Sequence, residues 1–177
     1  MSVDVSPNGQ AYNGARPDFE PARPDFRDHV REVFQATAAM QLIGATLGRI
    51  EPGLVELELV RRDAVTQQHG YVHGGILGLL ADGAAALAAL TVAPAKTIGL
   101  TVEYKINLLE PADGERILAR GRLVRSGHAV SVAACDVYAL DPGAPERLVA
   151  TATVTLVGAG RRPAGGGRGT PRDGSRE

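Results

Sequence analysis

The chain has 177 residues, of which 44% are hydrophobic and 22% are charged, and these values are ordinary for a globular protein with one hydrophobic core. Its net charge of -1, its aromatic content of 4% and its lack of Trp argue against a nucleic-acid-binding or membrane-binding surface, since both a basic field and base-stacking side chains are missing. The single cysteine, Cys135, excludes an intramolecular disulfide framework and predicts a buried strand residue in a cytoplasmic protein.

The two ends of the chain are expected to lie outside the folded domain. Residues 1–27 form a polar, Pro-rich arm that repeats the pentapeptide Ala-Arg-Pro-Asp-Phe and has no apolar run typical of a signal peptide. Residues 158–177 are rich in Gly, Arg and Pro and nearly free of large apolar side chains, so disorder is expected there. The sequence therefore predicts one domain over residues 28–157.

Hydrophobic periodicity within that domain predicts a helix, two strands, a long helix and four more strands. The first helix is amphipathic, with Val30, Val33, Phe34, Thr37 and Ala38 on its apolar face. The predicted elements are, in chain order, a helix at 28–41, strands at 45–51 and 54–60, a helix from 74 to just before Pro94, and strands at 97–108, 116–125, 129–139 and 148–157.

The long helix is predicted to be the buried centre of the domain. It is rich in Ala and Gly, and Asp82 is its only charged residue. A central acid costs roughly 2.5–3.5 kcal/mol on membrane-insertion scales, which argues against a transmembrane segment. A helix enclosed by a sheet must be apolar nearly all round and small where strands approach, so Gly78 and Gly83 indicate close packing. The predicted class is α+β, with an antiparallel sheet wrapped around one long central helix.

Chemistry is predicted at the start of this helix and two turns along it. Backbone N–H groups at a helix N-terminus lack partners and lie at the positive end of the helix dipole. Gly74 would let a ligand carbonyl approach its bare amide, and the side-chain amide of Gln67 could supply a second donor to an oxyanion. No other polar side chain neighbours Asp82 in the run Leu-Leu-Ala-Asp-Gly-Ala-Ala, so its carboxylate is expected to be partly desolvated. Such a carboxylate is suited to act as general base or nucleophile.

The spacing of these two groups predicts an oligomer. Eight helical steps separate Gly74 from Asp82, about 12 Å at 1.5 Å per residue, whereas reacting groups meet at about 3–3.5 Å. A two-fold dimer whose helices pass each other would bring Asp82 of one subunit to Gly74 of the other. If the chain is an enzyme, an obligate homodimer or homotetramer with shared active sites is expected.

Two stretches of the chain form motifs. The first is His-Gly-Gly-Ile-Leu-Gly-Leu-Leu-Ala-Asp, from His73 to Asp82, and the second runs from Gly99 to Pro111-Ala. At this separation they resemble the hotdog-fold acyl-CoA thioesterases of the phenylacetyl-CoA (PaaI-type) family, over roughly residues 34–157. The resemblance implies hydrolysis of a CoA thioester with an aromatic or a medium or long fatty acyl group. It also implies no cofactor or metal, and CoA bound across the boundary between subunits.

The resemblance implies a role for each of five residues. Asp82 matches the acid that acts as base or nucleophile, and Gly74 matches the residue whose amide binds the thioester oxygen. His73 matches a histidine beside that site, and Gln67 falls where relatives carry an Asn or Gln that polarises the carbonyl or orients water. Thr101 occupies a position where some relatives use a hydroxyl to position the water.

The remaining expected contacts concern the substrate. Gly75 and Thr101 are expected to contact it, and the turn near Gly127 is a candidate site for the CoA phosphates because arginines gather there. Two alternatives stay open: a one-residue loop shift would exchange Gln67 for Gln68, and His73 could cap backbone carbonyls instead of taking part in catalysis. The arginines of this turn are Arg120, Arg122 and Arg125.

The sequence favours hydrolysis over several other classes of function. A non-catalytic acyl-CoA-binding protein would keep the fold and the dimer but would not need Asp82. Hotdog hydratases and dehydratases resemble one another in a different motif, which pairs a catalytic His with an Asp or Glu. The sequence lacks that motif. The sequence also lacks a Cys/His cluster with metal-ligand spacing, a Gly-x-Ser-x-Gly elbow and a phosphate loop. Thioester hydrolysis is therefore the predicted activity.

Overall fold

The computed structural model of the chain describes residues 18–95 and 97–160, so most of the predicted arm and tail lies outside the described residues. The strands predicted at 54–60, 97–108 and 116–125 begin and end at those residues in the structure. A single turn of 3-10 helix, Asp63–Val65, follows the first of these strands. The elements are α1 (Phe26–Ala36), α2 (Ala38–Ile43), β1 (Thr46–Glu51), β2 (Leu54–Val60), α3 (Gly74–Leu90), β3 (Thr97–Leu108), β4 (Arg116–Arg125), β5 (Val130–Leu140) and β6 (Arg147–Gly160).

The six strands form one antiparallel sheet in the order β1-β2-β4-β5-β6-β3. Helix α3 packs against five of them, from β2 to β6, so the sheet wraps around the helix. The alternating burial of β4 and β5 places one face of the sheet in the core and the other near solvent. The predicted α+β class and hotdog fold are confirmed.

Glycines mark the places where other elements approach α3 most closely. A Cβ at Gly121 in β4 would overlap the backbone carbonyl of Ala84, so this strand lies directly against the helix. The two helix glycines predicted to indicate close packing do so, because Met40 of α2 packs over Gly83 and Tyr104 of β3 packs over Gly78. Within residues 18–95 and 97–160, no helix combines the length and hydropathy needed to cross a membrane.

The predicted helix at 28–41 is wrong in one respect, because it is two helices. Thr37 has an extended backbone, with φ -84° and ψ 92°, and it ends α1 and precedes α2. Its hydroxyl donates to the carbonyl of Val33 at 2.8 Å, a local bond that competes with the helix ladder. The break reorients the chain, so that Ala38 is exposed while Met40 is buried.

The hairpin between β1 and β2 is tied to the C-terminal end of α3. Gly53 adopts φ 73° in the turn, which favours glycine. Its backbone N–H donates to the hydroxyl of Thr91 at 2.7 Å, and that hydroxyl donates to the carbonyl of Ala88 at 2.6 Å. Thr91 is fully buried, so both bonds form away from water and fix this end of the helix against the sheet.

The prediction that Cys135 is a buried strand residue is confirmed. It is a fully buried residue of β5 and is unpaired. Burial raises the pKa of its thiol well above the ordinary value, and the neighbouring Asp136 carboxylate adds to the shift. The thiol is therefore protonated at neutral pH and takes the part of a small core residue.

Candidate active site

Helix α3 and strand β3 form the two walls of a cleft and run in opposite directions along it. The helix positions that face β3 recur every fourth residue, which places them on one face. At the first two, the strand side chain closes over a glycine, and at the third two polar side chains meet. The pairs are Gly74 with Leu108 Cδ1 (2.8 Å from a built Cβ), Gly78 with the Tyr104 hydroxyl (3.2 Å from a built Cβ) and Asp82 with Thr101.

The hydrogen bond between Thr101 and Asp82 is the polar centre of this cleft. The Thr101 hydroxyl donates to Asp82 Oδ1 at 2.7 Å, and both side chains are half-buried. They line an open space of about 480 Å³ together with Val102, Glu103 and Tyr104. No other described group donates a hydrogen bond to Asp82, so Thr101 holds one carboxylate oxygen and the other has no donor among the described residues. Such a carboxylate can accept a proton from water or attack a carbonyl carbon.

A β-bulge in β3 aims the side chains of this wall. Thr101 pairs with Leu156 and Glu103 pairs with Thr155, which leaves Val102 as the extra residue. Because the bulge shifts the alternation by one, Thr101 and Tyr104 both point to the helix, although strict alternation would place them on opposite faces. Tyr104 was therefore not predicted from the sequence, because its position depends on an irregularity that the hydrophobic pattern of β3 does not reveal.

The start of α3 is organised by His73. This residue is the N-cap, and its Nδ1 accepts a hydrogen bond from the Gly75 N–H at 2.9 Å. The alternative that His73 caps carbonyls is wrong in its detail, since the ring accepts from an amide. Gly75, expected to contact substrate, has its amide occupied by this bond. The Gly74 N–H donates to no described group, so it is the amide left open to a ligand.

Gln67 lies in the loop that leads into α3. Its backbone N–H donates to the carbonyl of Tyr71 at 2.8 Å, and its side-chain Oε1 accepts from the backbone N–H of His69. These bonds hold Gln67 half-buried while Gln68 is exposed, which favours Gln67 for the oxyanion role. Its side-chain NH₂, the donor that this role requires, has no partner among the described residues.

The arginines expected near the CoA phosphates are separated by their ion pairs. Arg120 contacts Glu56 at 2.6 Å and Glu146 at 3.1 Å, and Arg122 contacts Asp136 at 2.5 Å. These carboxylates neutralise two of the three guanidinium groups, so the predicted cluster is not an open basic patch. Arg125 remains exposed at the end of β4, with no ion pair among the described residues.

Gly127 lies apart from the Asp82 cleft opening. It is half-buried in the turn between β4 and β5 and lines a larger cavity at the C-terminal end of α3. The structure thus brings Asp82 and Thr101 together, and His73 and Gly75 together. In a single chain it leaves Gly74 two helical turns from Asp82, about 12 Å away. Among the described residues, no group of three or more His, Cys, Asp or Glu side chains could hold a metal ion.

Comparisons with known proteins find relatives of this chain by sequence and by structure. The Thioesterase superfamily model matches residues 69–146. A protein of Saccharolobus solfataricus with a provisional esterase name is 32% identical over 104 residues, which make up 58% of this chain and 74% of the relative.

Solved structures of bacterial proteins extend the likeness to the fold. A thioesterase family protein from Silicibacter pomeroyi is 38% identical, with a TM-score of 0.74 over 77% of this chain and 99% of that chain. A protein from Ralstonia eutropha JMP134, provisionally named a thioesterase and related to phenylacetic acid degradation, is 26% identical. Its TM-score is 0.64 over 75% of this chain and 98% of that chain.

Proposed function

The chain belongs to the thioesterase superfamily and is a thioester hydrolase, and we propose that it hydrolyses acyl-CoA thioesters in the manner of the PaaI-type enzymes that it resembles. The observation that carries the proposal is the bond from Thr101 to Asp82, which orients a carboxylate in an open cleft. The cleft lies on the same helix whose first amide, at Gly74, is unpaired among the described groups.

The proposed reaction begins with attack on the thioester carbonyl carbon. Asp82 accepts a proton from the attacking water, or attacks directly to form a mixed anhydride that water then hydrolyses. The Gly74 N–H and the Gln67 side-chain amide donate to the developing oxyanion, while His73 keeps the helix start in place through its bond to Gly75. Cleavage of the carbon–sulfur bond releases CoA, which takes up a proton, and the free acid.

A two-fold dimer completes each site in this proposal. The edge strand β3 is 12 residues long and exposes Leu100 and Val102 at 51% and 59%, and a long apolar edge is normally covered. Pairing of two such edges would carry the α3 helices past each other and bring Asp82 to the Gly74 amide of the partner subunit. Whether two such dimers assemble further is left to measurement of the oligomeric state.

The rival proposal is a non-catalytic acyl-CoA-binding protein in the cytoplasm. Such a protein would need the cleft but not an acid within it. A half-buried carboxylate held by a single hydroxyl costs some stability, and only the hydrolase has a use for it, which favours hydrolysis. The unpaired thiol of Cys135 favours the cytoplasmic location for either candidate.

Release of the CoA thiol from a panel of acyl-CoAs tests the proposal, with wild type beside Asp82→Asn. The amide keeps the shape of the carboxylate but neither accepts a proton nor attacks, so we expect turnover to fall by at least about 100-fold. Asp63→Asn makes the same change at an exposed position of the 3-10 turn, and it is expected to retain wild-type rates.

Two outcomes would count against the proposal. Near wild-type turnover by a folded Asp82→Asn protein would remove Asp82 from the mechanism. A folded wild-type oligomer that binds CoA esters but releases thiol from none of them would establish the binding protein instead.

A further inference from the structure

A cavity lies beyond Asp82, along the C-terminal half of α3. Its volume is about 520 Å³, and it is bounded by α3, the start of β3, the turn between β4 and β5, and the end of β6. Cavities of this size accommodate small organic ligands. Residues that represent each wall are Ala86, Ala89, Gly99, His128 and Leu156.

This cavity lies next to the Asp82 cleft, although the two spaces share no lining residue. Ala86 and Ala89 follow Asp82 by four and seven residues, so they lie on the same face of α3. Gly99 precedes Thr101 by two residues in β3, before the bulge, and therefore faces the helix with it. A ligand that occupies both spaces would extend from the Asp82 carboxylate along this face, between α3 and β3.

The space exists because both of its long walls carry small residues. Ala86 and Ala89 extend only a methyl group from the helix. A Cβ built on Gly99 meets no atom within 4 Å, so the opposite wall also leaves room. Larger side chains at these positions would fill the cavity from two directions.

The chemistry of the lining suits an acyl chain and not the nucleotide of CoA. The described lining consists mostly of Ala, Gly, Val and Leu, with the neutral polar side chains of Thr97, Ser126 and Ser131. This described lining contains no Asp, Glu, Lys or Arg, and His128 is its one ionisable side chain. Phosphates require cationic partners, which these walls do not offer. Apolar methylene groups, in contrast, gain free energy on leaving water for such walls.

We propose, building on the thioesterase function above, that this cavity is an acyl chamber that selects medium-chain acyl groups of about eight carbons. The helix runs about 12 Å from Asp82 to Leu90, its last residue. An extended chain advances about 1.3 Å per carbon, given a C–C bond of about 1.5 Å. Because the reacting carbonyl carbon lies about 3 Å from the attacking group, about 9 Å of this length remains. That length accommodates about seven carbons beyond the carbonyl, so an acyl group of about eight carbons fills the chamber and further methylenes extend into solvent.

The wild-type chain-length profile is the first test. Acyl-CoAs from C4 to C16, with phenylacetyl-CoA beside them, are compared by kcat/KM for thiol release. Each carbon added up to C8 is expected to raise kcat/KM roughly two- to fourfold, because it is buried in the chamber. From C10 to C16 the total change is expected to stay below about twofold, because those carbons are not buried.

Two variants narrow the chamber from opposite walls. Ala89→Leu fills it from the helix and Gly99→Val fills it from the strand, so each should lower the ratio of C8 to C4 kcat/KM by about tenfold. Ala39→Leu adds the same side chain at an exposed position of α2 and should keep the wild-type ratio. Thermal melting and the oligomeric state confirm folding, and Gly99→Val carries the test if Ala89→Leu does not fold.

The outcomes separate this inference from the function on which it rests. A wild-type optimum at C4 or C16, a preference for phenylacetyl over octanoyl above tenfold, or an unchanged ratio in both folded variants would overturn the chamber while hydrolysis stands. Absence of thiol release from every acyl-CoA would instead overturn the proposed function.

Discussion

The hydroxyl of Thr101 holds one oxygen of the Asp82 carboxylate at 2.7 Å, and this contact distinguishes Asp82 from an ordinary acid on a helix. Sequence alone indicated both residues, Asp82 by its apolar surroundings and Thr101 by resemblance. Their contact depends on β3 crossing α3 in one register, which is a property of the folded sheet. The proposed role of Thr101 is to position the carboxylate.

Removal of the Thr101 hydroxyl is predicted to lower kcat. Thr101→Val keeps the shape of the side chain but cannot donate, so kcat is expected to fall roughly 10- to 100-fold, as for the loss of a hydrogen bond to a charged group. KM should change little, because the acyl chain and CoA keep their contacts. Steady-state kinetics measure both constants.

Thr101→Ser is the matched control for that prediction. It restores the donor while it removes only a methyl group, and it should recover most of the wild-type kcat. Equal losses of kcat in both variants would mean that packing, and not the hydrogen bond, explains the effect.

At the scale of the element, the bulge in β3 and the glycines of the sheet decide how the walls of the site meet. Periodicity predicted β3 at its observed bounds but could not predict the bulge at Val102, because a single extra residue leaves the pattern of apolar and polar residues nearly unchanged. Tyr104 reaches Gly78 only because of this shift. The break at Thr37 was missed for a similar reason, since a local side-chain bond outweighs helix periodicity there.

Addition of a methyl group at Gly121 is predicted to destabilise the packing of β4 against α3. The methyl group of Gly121→Ala would overlap the backbone of α3 at Ala84, which cannot rotate away, so we expect a loss of about 1–3 kcal/mol in the free energy of unfolding. Denaturant unfolding at a fixed protein concentration measures the loss.

Gly99→Ala is the control, because it adds the same methyl group to another strand where a Cβ meets nothing within 4 Å. It is expected to leave the free energy of unfolding unchanged within about 0.5 kcal/mol. A similar loss in both variants would show that strand glycines matter here for their backbone freedom and not for the approach of β4 to α3.

At the scale of the whole molecule, the separation of Gly74 from Asp82 along one helix makes the assembly part of the proposed site. The edge position of β3, with its exposed Leu100 and Val102, supports a partner at this side. The proposed oxyanion donor and the proposed base would then come from different chains. This arrangement can be tested without a structure of the dimer.

Mixing two inactive variants tests whether each active site is shared between two subunits. Gly74→Pro removes the proposed donor amide, and Pro is well tolerated at the first position of a helix, particularly after His73 with its extended ψ of 136°. Co-refolded with Asp82→Asn, it should restore about a quarter of the wild-type activity, because half of the dimers are mixed and each mixed dimer has one intact site.

Gly74→Ala keeps the amide and is the control for the proline variant, because its methyl group, like the Cβ of proline, displaces the flexible end of Leu108. It should remain active by itself. Failure of the mixture to regain activity, with mixed dimers shown to form, would place both groups of each site in one chain.

Patterns along the chain were enough to predict the α+β class, the central helix, the bounds of three strands and the segment in which we propose the chemistry. These features depend on local periodicity and on residue types at short spacing, both of which are visible along a chain. The contacts between distant segments became visible only in the folded structure: the bond of Thr101 to Asp82, the orientation of Tyr104 toward α3, the ion pairs of Arg120 and Arg122, and the cavity beyond Asp82. Such contacts depend on register, bulges and packing between distant segments, and a one-residue shift in any of them redirects every side chain that follows.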